Sequence, residues 1–531
     1  MRESRLRHGL LTKIYSKCVT FYIQLSYKMN ITICCMNLIK KTNLSKLSKT
    51  LLSGIAVAVV LFVSSVSFAQ YVSDTDHYDS LPDLGSSSPN YLSESDSQKL
   101  GKAFIRQSRF QQPYVSDPEL VDYINRLGQK LLAVSSDADK DYQFYLIDNN
   151  VINAFAVPGG HIALHTAILT KAQSESELAS VIGHEISHVT QRHISRRIET
   201  SRYDSLIAFG TLLAAAAVGG SDTIPAAFSL ANASIIDRQL TYSRSFESEA
   251  DSLGIRLLSR AGFDPSAMPV FFKRLLDENR ISELNSLEFL RSHPLTINRI
   301  SESSQRVKAY PVAGEQDQSE FLLMQAKARA SYATDKKQMR DFYEHEVNLG
   351  KNDLPTRYGY AMAMSKYHEY DQAREVIKEL MLEFPDNKSV RLLMADNELE
   401  SDNIEYGLTI LKDLYEERRA ANDYSVDIYY ANALVLTDRN EEAIPILRAA
   451  ISDNKEEPYN HILISRAYSE VGEEMQSFQS RGEFHYLRGN YEFAIQQFKR
   501  AERMADSDYQ RARLKARIVD VEKEIEELKN L

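Results

Sequence analysis

Residues 184 to 188 read His184-Glu185-Ile186-Ser187-His188. In an α-helix, positions i and i+4 differ by about 40° around the axis, so both imidazoles leave one face a turn apart with Glu185 beside them. Two neutral imidazoles can ligate a divalent metal and the carboxylate can serve as general base, the arrangement of zinc peptidases. With 12 His in 531 residues, and about half of the 73 acids taken as Glu, the pattern arises by chance about 0.02 times in such a chain. The plain alternative is a pair of hydrogen-bonded core histidines.

A catalytic zinc takes three protein ligands and keeps a fourth position open. Residue 194 is Ile, which rules out the compact three-histidine motif. Glu199 and Asp204 follow the same helix too closely to fold back easily, and Asp222 and Asp237 lie in or beside a glycine-interrupted apolar segment. Glu247 and Asp251, at i and i+4, open a second helix expected to run to Arg260 and to stop at Gly262. They share a face, so one can ligate while the other accepts a hydrogen bond from a ligand imidazole. The same pair also reads as an acidic helix start favoured by the dipole. Glu249 turns elsewhere on that helix, and His161 and His165 read as packing or surface residues.

These groups need elements to hold them. Ser174 and Glu177 form a capping-box pattern, and Leu178, Val181, Ile182, Ile186 and Val189 trace an apolar stripe, so the HExxH residues belong to a helix. Strand-like runs, Tyr142 to Ile147 and Ala154 to Val157, precede it, the second closed by Pro158-Gly159-Gly160. Asn153, Ala154, Phe155, Ala156 and Val157 read as an edge strand to which an extended substrate can add by backbone hydrogen bonds.

At 531 residues the chain is too long for one core, so two or more domains are expected. With 43% hydrophobic and 26% charged residues, it is neither collagen-like, nor broadly disordered, nor polytopic in a membrane. The first 69 residues hold ten basic and one acidic residue, which leaves 53 basic against 72 acidic in the rest, a charge of −19. So acidic a body repels phosphate backbones, and no nucleic-acid partner is expected.

Leu51 to Val63 is apolar or small, follows Lys40, Lys41, Lys46 and Lys49, and precedes Ser67-Phe68-Ala69. Thirteen helical residues rise only about 20 Å against roughly 30 Å of hydrocarbon, so residues 1–69 read as a signal peptide cut after Ala69, with Met29 or Met36 as alternative starts. An uncleaved anchor is the other reading. Cys18, Cys34 and Cys35 all precede that cut, so any metal of the mature chain must use His and carboxylates.

Residues 70–92 read as a flexible lead-in, 93–310 as a mostly helical α+β zincin-like peptidase domain with a small sheet, and 311–319 as a linker. Residues 320–531 read as an all-α solenoid. There Ala373, Gly407, Ala443 and Ser477 recur at spacings of 34, 36 and 34, followed four residues on by Ile377, Leu411, Leu447 and, as a departure, Arg481. That is the period of tetratricopeptide repeats, whose stacked hairpins offer a concave face to extended segments or a neighbouring domain. Gly482 to Ala501 reads as a further repeat-like pair. Residues 206–236, apolar but broken by Gly219-Gly220 and Pro225, are too short in either half to span a bilayer. They read as core, as a cover over the site, or as a peripheral membrane contact.

HEISH with His193 five residues on, FESEAD at 246–251, NAFAVPGG at 153–160 and SHPLTINRI at 292–300 together resemble the HExxH peptidase family of CAAX prenyl proteases and HtpX. Signal peptide, peptidase domain and repeats in that order resemble its periplasmic branch, which serves β-barrel assembly. The resemblance covers nearly the whole chain after residue 69. It implies one Zn2+ per chain held by His184, His188 and Glu247, with Asp251 supporting and Glu185 as catalytic base. It also implies that His293 can take the fourth zinc position and hold the enzyme inactive until its loop moves. The activity implied is a periplasmic zinc endopeptidase of outer-membrane protein quality control, cleaving misfolded or stalled β-barrel proteins and assisting their assembly. Its implied partners are such clients and, through the repeats, the outer-membrane β-barrel assembly machinery. A chaperone or scaffold with a latent peptidase site is the alternative from another class.

Overall fold

The computed structural model describes residues 93–200, 243–281, 288–311, 317–421 and 423–529. The expected signal peptide and lead-in, the apolar segment 206–236, and Asp204, Asp222 and Asp237 lie outside the described residues, as does the side chain of Glu199.

Helices α1 (Glu94–Gln111) and α2 (Pro118–Leu132) come first. Asp117 caps α2 by accepting from the N–H groups of Glu119 and Leu120, and Pro118 supplies the fixed φ of a first turn. Strands β1 (Gln143–Ile147), β2 (Ala154–Val157) and β3 (His161–His165) form one sheet in the order β1-β3-β2, with β3 parallel to β1 and antiparallel to β2. The central strand was not expected from the sequence. Gly159 and Gly160, at φ of 83° and 81°, reverse the chain at once, and the apolar run of β3 is only Ile162 to Leu164 between two histidines.

There follow α3 (Thr166–Lys171), α4 (Glu175–Thr190), α5 (His193–Thr200), α6 (Arg244–Arg260), α7 (Ala267–Ile281), α8 (Glu288–Ser292) and α9 (Ile297–Val307). Ser174 caps α4, accepting from Glu177 N–H, while the Glu177 carboxylate accepts from Gln173 N–H and is gripped by Arg274. The apolar stripe is only part of how α4 is held. Every residue from Ser176 to His188 is buried, because α2, β2, β3, α6 and α7 surround the helix. Its off-stripe polar groups are satisfied locally: Ser180 and Ser187 hydroxyls donate to the carbonyls of Glu177 and Gly183. Where α4 crosses α6, Gly183 faces Gly254, and a Cβ on Gly254 would come within 3.3 Å of His184 N. The missing side chain of Gly254 thus lets the faces that carry His184 and Glu247 meet.

The remainder is helical: α10 (Ser319–Ser331), α11 (Lys336–Asn348), α12 (Leu354–Lys366), α13 (Tyr370–Glu383), α14 (Lys388–Glu400), α15 (Ile404–Arg418), α16 (Tyr424–Leu436), α17 (Asn440–Asp453), α18 (Pro458–Glu470), α19 (Glu474–Leu487), α20 (Tyr491–Arg503) and α21 (Asp508–Lys529). From α11 to α21, consecutive helices pack as antiparallel neighbours would in a repeat stack. The recurring small residues are buried in the second helix of each pair; at Gly407 a Cβ would lie 2.9 Å from Ala395 O. Arg481, the departure from the pattern, replaces an apolar contact by donating to Ser465 Oγ at 3.0 Å, beside the Ser477 hydroxyl bonded to Ser465 O.

The repeats hold the peptidase part directly. Ser389 on α14 donates to Glu119, and Tyr429 on α16 to Asp117, both at the start of α2. At the far end α1 lies against the last repeats, where Arg106 bonds Glu524 and covers the Tyr486 ring, and Arg109 donates to Glu456 O. The start of α2 thus docks on α14 and α16 of the repeats. No described helix is long and apolar enough to cross a membrane.

Candidate metal centre

Helix α4 delivers His184, Glu185 and His188, α6 delivers Glu247 and Asp251, and the bend after α8 delivers His293; all six are within 1% of full burial. His184 Nε2 lies 3.0 Å from His188 Nε2, 3.2 Å from His293 Nδ1 and 3.5 Å from Glu247 Oε2. Glu247 Oε1 lies 3.4 Å from His188 Nε2 and 3.1 Å from His293 Nδ1. One ligand atom from each of these four residues falls within 4.8 Å of all the others.

Ligands on a tetrahedral zinc with bonds of about 2.0–2.1 Å stand about 3.3–3.4 Å apart, so this cage has the right dimensions for one such ion. Three imidazoles and a carboxylate also suit zinc chemically, and no thiol is needed. The donors therefore fit the group that the sequence implies.

Around the cage each ligand is steered. Asp251 Oδ1 takes the other nitrogen of His184 at 3.1 Å, while Glu247, not Asp251, points at the two Nε2 atoms. Arg299 on α9, a residue without an assigned role in the sequence reading, donates through Nε and Nη2 to Asp251 at 2.9 and 2.8 Å, and reaches Glu247 with Nη1 at 2.6 Å. The same Nη1 bonds Pro294 O, beside His293. The signal for it was the Thr296 cap of α9, whose hydroxyl accepts from Arg299 N–H and sets the phase of that helix.

Electrostatics follow the burial. Burial opposes charge on His184, yet its hydrogen bonds to Asp251 and Glu247 prevail and lift it to about 9. His188 is driven well below its ordinary value by burial. Burial also opposes ionisation of Glu247, but His293, His184 and His188 outweigh it and hold the carboxylate charged. Glu185 goes the other way: burial raises it, only partly offset by His293 and His184. His293 Nε2 stands 3.3 Å from Glu185 Oε1. A raised carboxyl beside a metal cage is suited to accept a proton and give it back.

The expected edge strand is β2, an outer member of the sheet packed against α4, and Ala156 N–H points toward the Glu185 carboxylate. Asn153 precedes it, its carbonyl bonded to His165 N–H. His161 and His165 are buried in β3, bonded to Tyr145 and to Val151 O, away from the cage. Glu249 does turn away from the cage, but it has a partner that sequence reasoning missed: His193 Nε2, at 3.2 Å.

The profile of peptidase family M48 matches residues 118–307, which include α4 and α6. A putative beta-barrel assembly-enhancing protease of Vibrio cholerae is 34% identical over 446 residues, covering 82% of this chain and 91% of its own length. The beta-barrel assembly-enhancing protease of Escherichia coli K12 is 30% identical over 480 residues, 89% of this chain and 96% of its own. The mitochondrial metalloendopeptidase OMA1 of Schizosaccharomyces pombe is 33% identical over 178 residues, 34% of this chain and 50% of its own. With the HExxH helix inside the matched region and near-complete coverage of its bacterial relatives, the chain belongs to peptidase family M48, among the beta-barrel assembly-enhancing proteases, and is a metallopeptidase.

Proposed function

We propose that this chain is a periplasmic zinc endopeptidase that acts on misfolded or stalled outer-membrane β-barrel proteins, with one Zn2+ held by His184, His188 and Glu247. The observation that carries the reading is the convergence of those donors, from two helices about 60 residues apart, at separations of 3.0 to 3.5 Å beside a buried glutamate. The bacterial relatives' names support a role in β-barrel assembly. The expected signal peptide supports the periplasm as the place.

A zinc ion in this cage supplies Lewis acidity for peptide hydrolysis. The chain's own part is more specific. Glu185, raised by burial, takes a proton from the attacking water and returns it to the leaving amine. Asp251 orients His184 and Arg299 orients both carboxylates. Ala154 to Val157 receive the substrate backbone as an added strand.

The second reading is a chaperone or scaffold with a latent site, and it rests on His293. Its imidazole is the fourth donor of the cage and also approaches Glu185, so it stands where water and base would work together. Exchange of Glu185 for Gln separates the two readings: metal content should stay at the parent level while cleavage of an unfolded outer-membrane client falls by about 100-fold or more. Processing that survives this change leaves the scaffold reading.

A further inference from the structure

Beyond the metal cage, one buried imidazole is tied to a ligand and to the surface at once. His193 is fully buried at the start of α5. Its Nδ1 lies 2.8 Å from Nδ1 of His188, and its Nε2 lies 3.2 Å from Oε2 of Glu249 on α6. The ring stacks on Phe246, centroids 4.4 Å apart and planes 10° apart. Glu249 is partly exposed and is also held by Arg196 at 3.0 Å, whose guanidinium covers the other ring, Phe246. Arg192, at φ 51°, makes the turn that brings His193 back to the end of α4. A non-glycine residue in that region is strained, so the surrounding contacts must favour the turn.

We propose that His193 and Glu249 are positioning residues for the metal: they set the tautomer and orientation of His188 through the chain His188 to His193 to Glu249. The inference rests on the reading of His188 as a ligand through Nε2. A ligating Nε2 offers its lone pair, so the proton of His188 sits on Nδ1. That proton points at Nδ1 of His193, which acts as its acceptor at 2.8 Å. His193 then carries its own proton on Nε2 and donates it to the Glu249 carboxylate. Each bond fixes the sense of the next, and the chain ends on a charge. His184 has its own carboxylate, Asp251, whereas His188 reaches one through a second imidazole. The relay also pins α5 and the first turn of α6 to α4, so that Glu247, next to Phe246, meets both ligands.

The test uses the full chain, purified and loaded with Zn2+, with metal retention read by competition against a chelator. A Co2+-loaded sample gives the ligand-field spectrum. His193→Phe keeps the stack on Phe246 but can accept nothing; it should weaken zinc binding by about 10- to 100-fold and change the Co2+ spectrum. His193→Gln places a carbonyl acceptor near the same nitrogen and should recover part of that loss, a rescue that a merely structural role would not give. Glu249→Ala, at a partly exposed position, gives a variant that folds even if His193→Phe does not, and should weaken zinc by at least about threefold. Parent-like zinc retention and spectra in Glu249→Ala and in folded His193 variants would overturn the relay. His188→Ala is the control: if it too retains zinc as the parent does, the ligand reading itself fails and the relay falls with it.

Discussion

Replacing Lys327 by Met removes the cation at the junction of the peptidase part and the repeats. Lys327 Nζ lies 2.6 Å from Glu119 Oε2, 3.0 Å from Asp117 Oδ2 and 2.8 Å from Tyr429 Oη, with its side chain 2% exposed. At an effective dielectric of about 20, each ion pair attracts by roughly 6 kcal/mol in gross terms. Desolvation of three charges offsets most of this, so the intact network adds little net stability. Its loss is another matter. With the ammonium gone, the buried Glu119 carboxylate and the half-buried Asp117 carboxylate are left with Ser389, Tyr429 and the α2 cap as their remaining donors. Breaking one side of such a pair costs about 3–5 kcal/mol, and that is the expected fall in unfolding free energy for Lys327→Met. The double variant with Glu119→Gln removes one stranded charge and should regain at least half. The chain has no Trp, so urea unfolding followed by far-ultraviolet circular dichroism is the suitable assay. A single variant that loses less than about 1 kcal/mol, or a double variant no more stable than the single, would refute the reasoning.

His293→Ala should raise cleavage of an unfolded client, since it removes the fourth donor of the cage; a folded variant that cleaves at the parent rate or slower counts against an inhibitory His293. Gly254→Val should push α6 off α4 at His184, costing about 1–3 kcal/mol and releasing metal on gel filtration, whereas Gly183→Ala, whose Cβ meets nothing closer than 3.6 Å, should be tolerated. Parent-like metal content in Gly254→Val defeats that account. Burial, with Asp423 and Asp453 nearby, lifts Asp427 to about 6 from 3.8. The folded chain therefore binds the extra proton between those values, and stability drops as pH rises through that window. Asp427→Asn should thus stabilise at pH 7 by up to about 1 kcal/mol after screening, and not at pH 4; an equal gain at both would exclude this cause.

Much of the site was legible before any coordinates, for a local reason. The i, i+4 spacing of His184 and His188 and that of Glu247 and Asp251 are consequences of 3.6 residues per turn, and the stop at Gly262 is a backbone requirement, met at φ 83°. The spacing near 34 residues likewise reports a unit that packs only on its neighbours, so each unit repeats its own small buried residue. The central strand β3 escaped notice because its apolar run is only three residues long, Ile162 to Leu164, between two histidines.

What the amino-acid order alone determined was the set of faces: which side chains leave a helix together, and how often a hairpin recurs. Which faces meet was decided only in three dimensions. Glu247 rather than Asp251 turns to the imidazole pair because Gly254 lets two helices touch, and Arg299 holds the other carboxylate aside. His193 finds Glu249, and α1 finds the last repeats, through contacts between residues 56 and 418 positions apart. Helical periodicity is short-range and recorded in spacing; the approach of distant segments is set by the shape of the whole core, to which every buried residue contributes.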